Sequence, residues 1–284
     1  MTCYLCQSEN YREILHKPDI LIWTNASDND LVNKKKYKCV LCQCEECGSV
    51  YQPGYSEHRA ALREIYTSNN AQLSTPMGKG NWGEKRAKDL FVNLFNIIGQ
   101  NLKNYESCIE IGCSNGYVLR HLKDMGFKEL VGIEPSIDRT KEVDDILFLK
   151  EFVNAKLKFS RKYDLIFSVG VFEHIEEINN IIEFCRNNLN ENGELFICVP
   201  DAKRQLEEGD PALFSHQHIH YYTENSIKYL LVKNGFIIKS LISKEDGLNV
   251  SAKIGKQNID SQKVFYSEYQ KKLEIALDKF KNIF

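Results

Sequence analysis

Through the middle of the chain, apolar and polar positions fall into two alternating patterns. Short apolar runs at residues 108–111, 130–133, 163–169 and 195–199 are separated by stretches in which apolar residues recur three or four positions apart. This predicts strands at 108–112, 129–134, 145–149, 163–169, 193–200, 235–243 and 248–255. Helices are predicted at 116–125, 136–143, 175–189 and 223–234. Strands separated by helices imply an α/β fold with a mostly parallel sheet covered on both faces. Only a turn near Asp246-Gly247 separates the last two strands, so they should form an antiparallel hairpin at one edge.

Ahead of this block, residues 57–66 read as helix and 67–83 as a polar, glycine-containing loop. A second helix at 84–102 carries the stripe Leu90, Phe91, Leu94, Phe95 and Ile98. Long loops without structure are often functional. This one is a candidate cover for a ligand, with Tyr66 and Trp82 as contacts. Behind the block, Phe265, Tyr269, Leu273, Leu277, Phe280 and Phe284 recur at helical spacing. They predict an amphipathic C-terminal helix that packs on the domain or on a second copy in a homodimer. The chain thus divides into a module at 1–60, a domain with lead-in helices at 61–256, and a helical tail at 257–284.

Composition adds exclusions. The chain has 284 residues and a net charge of −2, which gives no overall electrostatic footprint for nucleic acid. Nucleic acid is therefore not the expected partner. No apolar run is long enough for a membrane span, and the first twenty residues lack a signal-peptide pattern. The expectation is a cytoplasmic protein.

The ten cysteines change the picture, because six lie in the first 47 residues. Cys3-x-x-Cys6 and Cys44-x-x-Cys47-Gly48 are two pairs that can each set two thiolates on a tight turn. Together they make a tetrahedral, structural Zn2+ site of the zinc-ribbon kind. Cys39-x-x-Cys42 is a rival pair. Gly48 supplies the turn after Cys47, whereas residues 39–42 read as strand. The long gap between pairs predicts a hairpin at 20–24 and 36–43. Four buried free cysteines are the alternative.

The turn after the first strand of the domain, Gly112-Cys113-Ser114-Asn115-Gly116, admits three functions. As a dinucleotide loop it fails at Ser114 and Tyr117, where the second and third glycines should stand. As a serine-hydrolase elbow it matches G-x-S-x-G, but no oxyanion segment precedes it. As an S-adenosylmethionine site it has Glu110 to face the cationic methionine end and two glycines for close backbone approach. Glu134, 22 residues past Gly112, can accept from the ribose hydroxyls.

Residues 110–116, 131–135, 163–175 (with Phe172-Glu173-His174-Ile175) and 193–200 resemble, in order, the motifs of class I S-adenosylmethionine-dependent methyltransferases with a Rossmann-like sheet. The resemblance covers about residues 84–256. It implies cofactor contacts from Glu110, Gly112, Cys113, Ser114, Gly116, Glu134 and Pro135. It places Glu151 and Phe152 beside the adenine, and Ser168, Val169 and Phe172 on the methyl side. Many relatives have glycine where Ser114 stands. The cysteine pairs are similar to a subgroup with an N-terminal zinc-binding module, which includes sugar C-methyltransferases and bacterial enzymes of surface-glycan or secondary metabolism.

Residues 200–213 read as a charged, helix-breaking segment. Beyond it His216, His218 and His220 lie within five residues. An extended chain would put all three on one side, a metal-site reading set below general-base catalysis because transfer from a sulfonium needs no metal. His218 is the first candidate base, with His216 and His174 behind it. In the related C-methyltransferases a Glu-His pair acts in this loop. Here Gln217 stands in place of the Glu, which tilts the reading to O-methylation of a small polar acceptor such as a sugar or nucleotide-linked precursor. Thr223 is the predicted cap of the next helix. A full capping box is not expected, with Ser226 in place of Glu or Gln. C-methylation, an RNA methyltransferase using the ribbon, and a non-catalytic cofactor-binding protein are the rivals.

Overall fold

The computed structural model describes residues 2–21, 36–54, 56–67, 80–137, 140–208, 217–244, 247–258 and 275. Residues 68–79 of the expected covering loop, His216 and the tail, apart from Ile275, lie outside the described residues; Thr67 and residues 80–83, Trp82 among them, belong to the flanking helices Ser56–Thr67 and Gly80–Ile98 rather than to a loop.

The eight-stranded sheet is built from β4 (Ser107–Ile111), β5 (Glu129–Ile133), β6 (Lys141–Val143), β7 (Ile146–Leu149), β8 (Tyr163–Val169), β9 (Leu189–Val199), β11 (Phe236–Lys244) and β12 (Gly247–Ile254). Its order is β11-β12-β9-β8-β4-β5-β7-β6. The pairs β7–β5, β5–β4, β4–β8 and β8–β9 are parallel, and β11–β12 and β12–β9 antiparallel. The predicted edge hairpin is present. All five residues of β4 are buried, as expected for a central strand covered on both faces. The helices α2 (Gly80–Ile98), α3 (Tyr117–Asp124), α4 (Ile178–Asn188) and α6 (Glu224–Lys233) lie between or before the strands. Leu90, Leu94 and Ile98 of α2 are buried in one core cluster with Leu119, Leu122 and Phe148. Each such side chain stabilises the fold by roughly 1.5–3 kcal/mol.

Three local expectations are corrected. No helix spans 136–143. Lys141–Val143 is a strand paired antiparallel with β7, and Val143 faces Ile146. The two residues between them, Asp144 and Asp145, have φ of 52° and 54°, the paired left-handed conformation of a two-residue hairpin turn that Asp tolerates. The segment after Pro200 does not break a helix but forms one, α5 (Ala202–Glu208). Asp201 Oδ1 accepts from the amides of Lys203 and Arg204 at 3.1 and 3.3 Å. Finally, α6 does carry a reciprocal capping box. Thr223 Oγ1 accepts from Ser226 N, and Ser226 Oγ accepts from Thr223 N at 2.9 Å. A serine hydroxyl reaches the cap amide that Glu or Gln reaches elsewhere.

The second sheet joins the N-terminal module to the domain. The strands β1 (Tyr11–Leu21), β2 (Lys36–Cys44), β3 (Val50–Tyr51) and β10 (His220–Tyr221) pair in that order. The hairpin is longer than predicted and starts at Tyr11 rather than 20. Its fourth strand comes from the loop that carries His218. Cys3, Leu5, Val40, Cys42, Cys44 and Tyr51 belong to the same core cluster as Ile109, Ile166, Ile182 and Phe236. Helix α1 (Ser56–Thr67) is tied in by Arg59, which pairs with Glu176 and donates to Tyr4 Oη.

Candidate functional site

The strand order reverses at β4, with the parallel strands β5 on one side and β8 on the other. Ligands of such sheets bind beyond the carboxyl ends of the strands, where the order reverses. The turn 112–116 lies there. Gly112 N donates to Ile133 O at 2.8 Å and Gly116 N to Cys113 O at 2.8 Å. Both glycines have positive φ, 76° and 69°. A Cβ on Gly112 would come within 2.2 Å of Val171, and one on Gly116 within 2.6 Å of Phe148. Protein packing as well as backbone conformation therefore demands glycine at both places.

Ser114 also has a positive φ, 48°, which gives a backbone reason for glycine at this position in relatives. Its Oγ is buried and has no hydrogen-bond partner among the described residues. An activated serine needs a base in reach, so the nucleophile reading has no support here. Ser114→Gly is expected to keep transfer activity and to change the unfolding free energy by less than about 1 kcal/mol, because released strain and added chain entropy oppose each other. Chemical denaturation and a turnover assay check this. Loss of activity with cofactor affinity intact would restore the nucleophile.

Glu110, on β4, is 1% exposed, and its Oε2 has no partner among the described residues. Burial, and then the nearby Glu134, push its carboxyl far above the usual range. A cationic group would fit this orphaned oxygen. Glu134 follows β5. Its Oε2 accepts from Ser114 N at 3.1 Å, and its Oε1 from Ser136 N and Oγ at 3.0 and 2.7 Å. It therefore sits against the turn, as predicted, and fixes it. Pro135 is half-buried beside it. Cys113 is buried, its Sγ donating to Ser114 O at 3.7 Å and lying against Gly132.

Glu151 and Phe152 follow β7 and are exposed. The guanidinium of Arg63 lies 5.6 Å from the Phe152 ring centroid. Ser168 Oγ donates to Ile111 O at 3.0 Å, tying β8 to β4. Val169 is half-buried and Phe172 fully buried in the core.

The short turn after β8, Phe172–His174, meets the histidine loop. Ligand-capable atoms of Glu173, His174 and His218 lie within 4.8 Å of one another. His174 Nδ1 donates to Gln217 O at 2.7 Å, and its Nε2 lies 3.6 Å from Glu173 Oε1. The His174 and His218 rings are 5.1 Å apart. Burial, and then His174, draw the His218 pKa down to about 3, so that its ring stays neutral. Tyr66, from α1, lies 5.9 Å from His174 with its buried Oη unpartnered among the described residues. Burial, then Glu173 and Glu134, raise its pKa. Tyr66 is thus electrostatically coupled to the Glu134 side and the histidine side alike. His220 does not join the group. Its Nε2 donates to Ile175 O at 2.8 Å, and its ring stacks on Tyr222.

A family model described as a methyltransferase domain matches residues 82–241, more than half of the chain. The chain belongs to this methyltransferase family. The domain is accordingly that of an S-adenosylmethionine-dependent enzyme. A tRNA U34 carboxymethyltransferase from Nautilia profundicola is 27% identical over 158 residues, 50% of this chain and 51% of that protein. One from Campylobacter curvus is 23% identical over 175 residues, 55% and 56% of the two chains. The methyltransferase chain spans about half the length of these curated relatives. The solved structure of 1,6-didemethyltoxoflavin-N1-methyltransferase from Burkholderia thailandensis shares the fold, with 14% identity and a TM-score of 0.51. The match covers 75% of this chain and 98% of that one. The relatives' names run against setting nucleic acid aside on net charge. A charge of −2 averages the whole surface and is silent on local patches.

In the N-terminal module Cys3, Cys6, Cys44 and Cys47 cluster, with sulfurs within 4.8 Å of one another. Cys3 and Cys47 are 3.6 Å apart, and Cys6 and Cys44 3.4 Å. Thiolates at 2.3 Å from a tetrahedral ion stand about 3.8 Å apart, so the four are close to the spacing that zinc requires. The residues after each pair match, with φ of 67° at Gln7 and 73° at Gly48. Cys39 and Cys42 lie within β2, outside this cluster. Among the described residues, no helix is long and apolar enough to cross a membrane.

Proposed function

We propose that the protein O-methylates a small polar acceptor, such as a sugar or a nucleotide-linked precursor of a surface glycan, and that its four-cysteine module holds a structural zinc ion. The observation that carries the acceptor side is the half-buried, neutral His218, grouped with His174 and Glu173 at the turn after β8. A neutral imidazole can take the proton of an attacking hydroxyl. The buried Glu173 stands close enough to offset the charge that then develops. Gln217, in place of a Glu, favours oxygen over carbon as the acceptor atom.

S-adenosylmethionine supplies an electrophilic methyl group. Glu110 would face its ammonium, and Glu134 its ribose. Much of the catalysis would come from holding acceptor oxygen, methyl carbon and sulfur in line.

The Glu110 reading has a proton signature. Its folded-state pKa lies above the unfolded value, so its stabilising contribution is full at low pH and is lost as pH rises through the folded value. Pairing with an ammonium reverses the shift. Binding of S-adenosylhomocysteine is therefore expected to be accompanied by proton release from Glu110, seen by calorimetry in buffers of different ionisation heat. Glu110→Gln should abolish the release. Equal proton counts for both proteins would remove Glu110 from the ammonium site.

A second reading has one observation in its favour, the names of the Nautilia and Campylobacter relatives. It replaces the small acceptor with a tRNA nucleotide. Thermal-shift measurements with S-adenosylhomocysteine present decide between them. Stabilisation by nucleotide sugars, followed by methyl transfer to one of them, supports the first. Stabilisation by tRNA alone, steeply weakened by salt, supports the second and sinks the first.

A further inference from the structure

The segment that carries His218 is gripped from two sides. From the methyltransferase domain, His174 Nδ1 donates to Gln217 O and Ile219 N donates to Glu173 O, both at 2.7 Å. From the N-terminal module, β3 pairs antiparallel with β10, Tyr51 opposite His220 and Val50 opposite Tyr221. The next residue, Gln52, continues the grip: its backbone N donates to Ile219 O at 2.8 Å. Its side-chain Nε2 donates twice, to His218 O at 3.0 Å and to Tyr221 Oη at 2.7 Å. Gln52 is 3% exposed. It stands five positions after Cys47, the last thiol of the cysteine cluster.

We infer that the N-terminal module is a working part of the acceptor site, and that Gln52 is a positioning residue which sets the place of the His218 ring. This rests on the reading of His218 as the base. A peptide carbonyl pinned at one end of a residue fixes the direction in which its side chain leaves the backbone. Misplacing a catalytic group by 1 Å costs on the order of 100-fold in rate. The amide nitrogen of Gln52 has two hydrogens and meets two acceptors. Leucine at this position would leave His218 O without its donor inside the protein. Glutamate would aim carboxylate oxygens at that carbonyl.

Among the described residues, the groups facing His218 are His174, Glu173 and Tyr221, whose ring lies 6.4 Å away. In the intact full-length protein labelled with 15N-histidine, the His218 ring signal is identified by its loss in His218→Gln. In the wild type it should report a neutral ring throughout pH 5–8. In Gln52→Leu and in the isosteric Gln52→Glu, the signal should move and begin to titrate towards the ordinary histidine range, while the affinity for S-adenosylhomocysteine changes less than about twofold. With the acceptor found by the thermal-shift screen, kcat should fall on the order of 10- to 100-fold and KM should change little. Gln52→Asn should recover part of the loss. An unchanged His218 signal in folded Gln52→Glu overturns the inference, as does an equal loss of cofactor affinity. If His218→Gln itself retains full transfer activity, the base reading fails, and the movement of the His218 signal still judges the positioning role separately.

Discussion

Exchange of His218 for glutamine is expected to lower kcat by about 10²- to 10⁴-fold, the range for loss of a general base, while affinity for S-adenosylhomocysteine stays within about twofold. The two effects separate because Glu110 and Glu134, the residues proposed to face the cofactor, stand on β4 and after β5, whereas His218 belongs to the loop before α6. The pH profile makes a sharper test. Burial draws the pKa of His218 down to about 3, so the ring is neutral well below physiological pH. It should add no acid limb to kcat/KM between pH 5 and 8. That environment also makes the ring a weaker base. Charge forming on it would be offset by Glu173, whose own carboxyl is raised by burial and lowered by His174. A variant within tenfold of wild-type kcat would remove His218 from catalysis.

Exchange of Cys44 for serine should have the largest effect on folding. Apparent binding energies of structural zinc are about 10–16 kcal/mol, comparable with the whole stability of an ordinary domain. The sulfurs belong to the core cluster that also holds Ile109 and Phe236. Loss of the ion should therefore not stay local. The expected outcome is one zinc per wild-type chain by elemental analysis, and less than half of that in Cys44→Ser. Its cooperative unfolding should be lost or strongly lowered in temperature. Cys39→Ser should keep one zinc per chain. Full zinc in Cys44→Ser, or loss of zinc in Cys39→Ser, would exchange the two pairs. A second metal equivalent lost with His218→Gln would reassign Glu173, His174 and His218 as ligands.

Much of the domain was legible because its strands are long and buried on both faces, and its turns need special backbone. Residues 108–116 show an apolar run followed by glycines at 112 and 116, and both glycines have positive φ. The clustering of Cys3, Cys6, Cys44 and Cys47 was legible from spacing, and Gly48 follows the last of them with the positive φ that its turn requires. What escaped was short or used a substitute residue. The strands Lys141–Val143, Val50–Tyr51 and His220–Tyr221 have two or three residues, too few for a period of two to show. The Asp144-Asp145 turn carries no glycine. Ser226 completes a capping box from which sequence rules exclude it. Gln52 bears no motif at all. The bonds that suggest its positioning role join it to His218 and Tyr221, 166 and 169 positions away, which meet it only in the fold.

The sheet that runs from β1 to β10 also has a consequence during synthesis of the chain. The first 51 residues leave the ribosome with three strands in hand, but the fourth, His220–Tyr221, is made some 170 residues later. Until then the outer edge of β3 has no partner, and an open strand edge invites pairing with other chains. A fragment cut at residue 60 would keep that edge bare on one piece and strip the histidine loop of its neighbour on the other. The boundary that the sequence suggests at residue 60 is therefore a poor place to divide the protein, and expression of residues 61–256 alone is expected to yield aggregating material.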